Sequence, residues 1–111
     1  MAPEPRLTSG LWVEAYLRRL DLAMIPAFVV ARGDNTAGAV LVKLATLDGT
    51  ARVFQRVMAM DGGRVWDVLA EGDETDVDAT IAAQRARDPD LWVIEVESRE
   101  GRHLLDEAGL G

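Results

Sequence analysis

The sequence predicts an α+β fold in which two helices pack on a mostly antiparallel sheet of four to five strands. Three observations support this prediction. Two apolar, β-rich runs flank an Asp-Gly pair within Ala39–Met58, two helical patterns lie near residues 10–22 and 76–87, and an apolar strand pattern follows the second helix. The expected order is helix, three or four strands, helix and strand. Helices set apart by a run of consecutive strands are typical of this class.

The segment Ala39–Met58 is predicted to form an antiparallel hairpin with Asp48-Gly49 as a two-residue turn. Such a turn needs positive φ at both central residues, and Asp-Gly meets this requirement. The turn length then fixes the register of the two strands. The expected facing pairs are Leu47 with Thr50, Ala45 with Arg52, Leu44 with Val53, Lys43 with Phe54, Val42 with Gln55, Leu41 with Arg56 and Val40 with Val57.

This register would give the hairpin two chemically different faces, because side chains alternate along a strand. One face is aliphatic and is expected to lie in the core: Val40, Val42, Leu44, Val53 and Val57. The other gathers cations around apolar side chains, and we call its main members the basic hairpin residues: Lys43, Arg52, Arg56 and Phe54. They form a candidate binding patch for an anionic or protein partner, since Phe54 could add stacking or cation–π contact.

The favoured alternative for this face is internal pairing. Glu95, Glu97 or the acids of the second helix would then neutralise the cations, and the aliphatic stems of the cations would cover Leu41 and Phe54. A patch of this kind would contribute little to the binding of a partner.

The first helix is predicted over Gly10–Leu22, with Ser9 as its N-cap. Its apolar positions follow helical spacing and are expected to pack on the aliphatic hairpin face: Val13, Tyr16, Leu17 and Leu20. Trp12 lies off this stripe. The three tryptophans, Trp12, Trp66 and Trp92, are interpreted as core or edge residues. An exposed partner anchor is the alternative for Trp12.

Three further segments resemble strands. Ala27–Arg32 is apolar on both faces and is therefore expected in the centre of the sheet. Arg64–Leu69 is either a short strand or an irregular return. Leu91–Glu97 alternates clearly, with Trp92, Ile94 and Val96 on one face and Leu91, Val93, Glu95 and Glu97 on the other.

The second helix is predicted over Asp76–Arg87, after an acidic loop at Glu71–Glu74. Thr75 would cap it. Acidic residues fill the first turn and Arg85 and Arg87 the last, which suits the helix dipole.

With 111 residues, the chain is expected to form one domain over residues 8–106, with a loose arm over 1–7 and a frayed tail over 107–111. Its net charge is −7, and residues 67–111 hold 13 acidic against four basic side chains. Such a charge repels nucleic acid, so nucleic acid is not an expected partner. The sequence lacks an apolar run of membrane-spanning length, an export signal and cysteine. We therefore expect a cytoplasmic domain without a membrane partner, disulfides or thiolate metal sites.

Candidate catalytic residues are few. Glu95 and Glu97 share a strand face at about 6–7 Å, a spacing compatible with a metal or an acid–base pair, but a solvated face or pairing with the hairpin cations is favoured. The acidic run near Glu74 lacks the Gly and Glu that a calcium loop needs, and helix capping accounts for it better. His103 is the single histidine and has no nucleophile motif near it. We expect no catalytic, cofactor-binding or metal-binding residues.

The element order is also similar to the core of restriction-endonuclease-like nucleases. Their chemistry needs an acid two residues before a lysine on a middle strand, to hold Mg²⁺ and position water. Leu41 occupies that position before Lys43. A degenerate nuclease-like or other metal-dependent hydrolase that uses carboxylates is therefore the alternative function rather than the main one.

Several segments together resemble a bacterial family of short proteins known only as a domain of unknown function. They are Leu11-Trp12-Val13 with Ala15-Tyr16-Leu17-Arg18-Arg19, Arg32-Gly33-Asp34, Ala37–Lys43, Leu47–Ala51 and Asp88–Val93. The resemblance covers about residues 7–106 and implies a compact, stand-alone cytoplasmic protein. It implies no activity and no site residues.

The function predicted from these observations is a non-enzymatic binding or adaptor module. Its partner would be another protein, acidic or phosphorylated, or a second copy of the chain joined through a sheet edge.

Overall fold

A computed structural model describes residues 7–111. Most of the expected N-terminal arm, residues 1–6, lies outside the described residues. The elements are α1 (Ser9–Leu22), β1 (Ala27–Ala31), β2 (Val40–Ala45), β3 (Thr50–Met58), β4 (Arg64–Asp73), α2 (Glu74–Arg87) and β5 (Trp92–Glu97). The predicted α+β class is confirmed, and the order is helix, four strands, helix and strand.

The five strands form one sheet in the order β1-β5-β2-β3-β4. β5 enters between β1 and β2, and it pairs antiparallel with β1 and parallel with β2. The β2–β3 and β3–β4 pairs are antiparallel. The sheet is therefore mixed but mostly antiparallel, as expected.

Each helix covers one face of the sheet. On the α1 side, the helix buries Trp12, Val13, Tyr16 and Leu20 against Val42, Leu44, Phe54, Trp92, Ile94 and Val96. On the α2 side, Val77 and Ile81 pack on Leu41, Val53, Leu91 and Val93. The alternation predicted for β5 is confirmed, because Trp92, Ile94 and Val96 lie on the α1 side and Leu91 and Val93 lie on the α2 side. Leu110, within the tail that we expected to fray, is buried in the α1-side cluster.

The predicted hairpin register is wrong by one residue. The observed pairs are Leu41 with Gln55, Val42 with Phe54, Lys43 with Val53, Leu44 with Arg52 and Ala45 with Ala51. The cause is the turn, which has three residues between Thr46 and Thr50 instead of two. Leu47 takes φ 63° and Gly49 takes φ 90°. The side chain of Asp48 stabilises this wider turn, because its Oδ1 accepts hydrogen bonds from the Thr46 and Thr50 hydroxyls, both at 2.7 Å.

A one-residue shift reverses the facing of one strand relative to the other. Lys43 therefore lies on the α2 side of the sheet, whereas its supposed companions Arg52, Phe54 and Arg56 lie on the α1 side. The expectation that the basic hairpin residues share a face opposite Val42 and Leu44 is wrong.

Strand β1 lies at the edge of the sheet, so its predicted central position is wrong. Although β1 is apolar on both faces, its face on the α2 side is not covered, because α2 packs over β3 and β4 at the opposite edge of the sheet. Phe28 and Val30 are accordingly 46% and 47% exposed. The strand follows Pro26, and a bulge interrupts its pairing with β5.

Of the two alternatives for Arg64–Leu69, the strand is correct, because these residues belong to the ten-residue strand β4. Strand β4 pairs with β3 along its whole length, from Arg64 opposite Met58 to Asp73 opposite Thr50. The predicted acidic loop is therefore wrong, because the strand continues until the helix begins. Asp73, not Thr75, is the N-cap. The Glu74 N–H, one of the first in the helix, donates to the Gly49 carbonyl at 2.9 Å. Within residues 7–111 no helix has both the length and the hydropathy to cross a bilayer.

Candidate functional site

Lys43 lies in the centre of a cluster of carboxylates on the α2 side. Its Nζ is 2.7 Å from both Glu74 Oε2 and Asp78 Oδ1 and 3.2 Å from Glu95 Oε1, and its side chain is only 6% exposed. An ammonium has three hydrogens to donate, and three carboxylates surround this one. Burial alone would lower the pKa of Lys43, but hydrogen bonds to Asp78, Glu74 and Glu95 outweigh burial and raise it. Lys43 therefore stays charged.

For Lys43, the internal-pairing alternative is confirmed: its partners are Glu95 and two acids of α2, and Glu97 is not among them. The sequence signal for the helix partners is their i, i+4 spacing, which places Glu74 and Asp78 on one helix face. Glu74 and Asp78 belong to α2 and Lys43 belongs to β2, so these ion pairs connect α2 to the sheet. In the part of the chain that the structure describes, no group of three His, Cys, Asp or Glu side chains is arranged to hold a metal ion.

Arg52 and Phe54 also make internal contacts. The Nε of Arg52 is 3.0 Å from Glu71 Oε2, and both side chains are more than half exposed, so this ion pair contributes little to stability. Phe54 is 7% exposed and its ring lies 4.7 Å from the ring of His103. Whether the basic hairpin residues bind a partner stays a prediction.

His103 is half-buried against Phe54, and its Nδ1 accepts a hydrogen bond from the Leu105 N–H at 3.0 Å. Burial lowers the pKa of His103 below its ordinary value of 6.5; Arg52 acts in the same direction and Asp106 opposes them. Since the unfolded chain takes up this proton more readily, the domain should lose stability as the pH falls through 6.5.

His103→Asn, which keeps an acceptor but does not titrate, tests this expectation. Urea unfolding at pH 7.5 and pH 5.5 should show a smaller pH-dependent loss in the variant than in the native protein. Equal losses in the two proteins would contradict it.

Arg56 lies between two indole rings. Its guanidinium carbon is 4.9 Å from the ring centroid of Trp12 and 4.8 Å from that of Trp66, a distance typical of cation–π contact. Trp66 faces Arg56 directly across β3 and β4, while Trp12 comes from α1. Trp12 is 4% exposed and belongs to the core, so the core interpretation is confirmed and the exposed-anchor alternative is wrong.

The indole N–H groups of the three tryptophans differ in their partners. Trp66 donates to the Leu110 carbonyl at 2.9 Å and Trp92 donates to the Asp34 carbonyl at 2.8 Å. Trp12 Nε1 is buried and has no hydrogen-bond acceptor among residues 7–111. Buried donors of this kind are rare in folded proteins, so the surroundings of Trp12 are a candidate site.

A cavity of about 640 Å³, which we call the end cleft, adjoins Trp12. Its walls are the start of α1, residues 36–39 and the start of β2, Gln55 and Arg56 of β3, Arg64 of β4, and Gln84, Asp88 and Leu91 at the end of α2 and beyond it. The cleft forms at the end of the sheet where β3 and β4 extend beyond β2. Pairing between β2 and β3 ends at Leu41 and Gln55, whereas pairing between β3 and β4 continues to Met58 and Arg64. Of the basic hairpin residues, Arg56 alone lines it.

A second cavity, of about 580 Å³, lies beside the hairpin turn. Its wall includes Asp48, whose carboxylate accepts three hydrogen bonds from Thr46 and Thr50, and these lower the pKa of Asp48 to about 2. Arg52 and Glu71, also in this wall, pair with each other. These groups are already engaged in the turn and in β3–β4 pairing, so the end cleft is the better candidate.

Comparison with known proteins identifies relatives of the same size and fold. The family model described as "Protein of unknown function (DUF1491)" matches residues 7–106. A crystal structure of a DUF1491 family protein from Caulobacter crescentus CB15 is 42% identical and covers 92% of this chain and 97% of that chain, with a TM-score of 0.84. An NMR structure of a DUF1491 family protein from the same organism is 42% identical and covers 94% and 96%, with a TM-score of 0.81.

A more distant relative is protein Atu0922 from A. tumefaciens. Its solution structure is 28% identical and covers 85% of this chain and 87% of that chain, with a TM-score of 0.72. The comparison with curated proteins gave no match. The family match extends over the same residues as the resemblance noted in the sequence and confirms it. The chain therefore belongs to the DUF1491 family.

Proposed function

We propose that this domain is a non-enzymatic binding module and that its ligand occupies the end cleft. The observation that carries this proposal is made at Trp12, a residue of the cleft wall whose buried indole N–H has no acceptor among residues 7–111. Leaving such a donor unsatisfied costs about 1–3 kcal/mol, and an acceptor on a bound ligand would recover part of that cost.

The dimensions of the end cleft and its mixed walls support the same function. Small-molecule sites are concave, largely apolar and about 300–1,000 Å³ in volume, with a few polar groups that orient the ligand. The end cleft, at about 640 Å³, combines the apolar Val40, Leu41 and Leu91 with the polar Gln55 and Gln84.

Two other expectations receive less support. The hydrolase alternative needs carboxylates that are open to a metal or a water, whereas Glu74, Asp78 and Glu95 surround the Lys43 ammonium. A homodimer through β1 would pair an edge that follows a proline and contains a bulge, both of which oppose further strand pairing. We propose neither.

The indole N–H signals in a nitrogen-15 NMR spectrum test the proposal directly. A mixed set of small anionic, neutral and cationic compounds should include some that shift the signal of Trp12. The signal of Trp92, whose N–H donates to Asp34 outside the end cleft, serves as an internal control.

Ala39→Phe should abolish those shifts, because Ala39 is an exposed residue of the cleft wall and a phenyl ring would occupy the space. The matched control is Ala82→Phe on the exposed side of α2, which should leave binding unchanged. Shifts that persist in Ala39→Phe, or a Trp12 signal that no compound of any charge moves, would overturn the proposal.

A further inference from the structure

We infer that the outer face of α1 is a dimer interface, at which two copies of the chain pair as antiparallel helices about a two-fold axis. This surface is distinct from the end cleft, and its role does not depend on the ligand proposed there. Four exposed residues of α1 form it, and we call them the outer stripe: Leu11, Ala15, Arg18 and Leu22.

The outer stripe has the spacing of a coiled-coil seam. Its members are separated by four, three and four residues, so they lie in one line along the helix. The core residues Val13, Tyr16 and Leu20 lie on the opposite side of α1. Leu11 and Leu22, by contrast, are 53% and 72% exposed. The outer side of a surface helix is normally polar, so two leucines in a seam there indicate a partner.

The order of residues along the outer stripe is self-complementary, which favours a second copy of the chain as that partner. When two such helices run antiparallel about a two-fold axis, Leu11 faces Leu22 of the second copy at both ends. In the middle, the small Ala15 faces Arg18 of the second copy and leaves room for its longer side chain. Two more exposed apolar side chains flank the ends of α1: Leu7 and Met24.

Glu14 and Arg18 provide charge complementarity across the same axis. Among residues 7–111 neither side chain belongs to an ion pair, although the two are four residues apart on α1. Arg18 of one copy faces Ala15 of the other and therefore lies next to Glu14 of that copy, and the axis repeats this contact. Asp21 is on the same flank of α1 as Glu14, so Arg18 also separates acids that would otherwise repel each other.

The size of the interface sets the expected affinity. With 14 residues, α1 is about 21 Å long, and a contact of this length buries less surface than a standard protein interface. The dimer is therefore expected to be weak. Because a contact about a two-fold axis uses the same patch on both copies, association should stop at the dimer.

Sedimentation equilibrium measures the association. The dimer fraction of the native protein should rise between about 10 μM and 1 mM, the range of weak complexes. Leu22→Ser should raise the dissociation constant by about tenfold or more, and the exposure of Leu22 means that the fold is retained. Phe28→Ser, which removes another exposed apolar side chain from β1, is the matched control and should leave the constant unchanged.

Charge reversal tests the pairing of Glu14 with Arg18 between copies. Glu14→Arg and Arg18→Glu should each weaken the dimer, because each variant places like charges on the two sides of the axis. An equimolar mixture of the two variants should dimerise again, since one copy then contributes two bases and the other two acids. A change confined to the helix of one chain could not produce this recovery.

Cysteine cross-linking tests the direction of the helices, since the native chain has no cysteine. Leu11→Cys and Leu22→Cys should form a disulfide with each other when mixed, and neither should form one with itself. Four results would overturn the inference. They are a native protein that stays monomeric at about 1 mM, a charge-reversed mixture that stays monomeric, self-linking of Leu11→Cys, and loss of the dimer in Phe28→Ser but not in Leu22→Ser.

Discussion

Replacing Gly33 by alanine should destabilise the domain by about 3 kcal/mol or more, because the added methyl group has no room. A Cβ at this position would overlap the Asp90 carbonyl oxygen and lie 2.7 Å from both the backbone nitrogen and Cδ1 of Trp92. Two of these three atoms belong to the backbone and cannot rotate away. The segment after β1 therefore has to move away from the start of β5.

That movement would also break the contacts around Gly33. The Asp34 N–H donates to the Asp90 carbonyl at 2.9 Å, and the Trp92 indole donates to the Asp34 carbonyl at 2.8 Å. Urea unfolding measures the effect, with Gly63→Ala as the control. At Gly63 the nearest atom is the side-chain Oδ1 of Asp61 at 3.2 Å, so we expect a change within about 0.5 kcal/mol. Similar losses in the two variants would show that close packing at Gly33 is not the cause.

Those parts of the fold that depend on local periodicity could be predicted from the sequence. The alternation of β5 separates Trp92, Ile94 and Val96 from Leu91 and Val93, and the two sets enter the two core clusters. The stripe of α1 was predicted for the same reason, and Val13, Tyr16 and Leu20 are buried. Each of these patterns is fixed by the geometry of a single element.

The hairpin register could not be predicted, because it depends on which backbone conformation the turn adopts. Asp-Gly is compatible with loops of two or three residues, and here Leu47 takes φ 63° to make the longer one. The hydrogen bonds that favour it join Asp48 to Thr46 and Thr50. Such local polar contacts leave no trace in the hydrophobic pattern.

The candidate site was missed because of this same error in register. With the predicted pairing, Arg56 would lie on the face opposite the aliphatic residues that α1 covers. The one-residue shift moves Arg56 beneath α1, where it meets Trp12 and Trp66. The sequence makes Arg56 a candidate binding residue and Trp12 an alternative partner anchor, and it indicates a core or edge position for Trp66, but only the three-dimensional pairing brings the three residues together.

Lys43→Met should destabilise the domain by about 2–4 kcal/mol at pH 7. Removing one partner of a buried ion pair typically costs about 3–5 kcal/mol, and here the partial exposure of Glu74 and Asp78, at 39% and 54%, moderates the cost. Methionine fills most of the space of the lysine stem. The loss therefore comes mainly from three carboxylates left facing one another without the ammonium.

The pH dependence distinguishes this electrostatic cause from a loss of packing. In Lys43→Met, proton uptake by the folded state relieves the repulsion among the three carboxylates, so the stability of the variant relative to the native protein should rise as the pH falls from 7 to 4. In the native protein, the pKa of Lys43 is raised by its partners. Its contribution is therefore complete below the ordinary lysine pKa of about 10.4 and is lost only as the pH rises through the higher folded value.

Removing one of the acids provides the matched control for Lys43→Met. Glu95→Gln alone should destabilise the native protein, because it deprives the ammonium of its least exposed partner, whose side chain is 19% exposed. In the Lys43→Met background the same change should restore stability, since it removes one of three repelling charges. Urea unfolding of the two single variants and the double variant at pH 7 and pH 4 gives the coupling between the two sites. A deficit in Lys43→Met that is the same at both pH values, and that Glu95→Gln does not reduce, would show that Lys43 acts through packing and not through its charge.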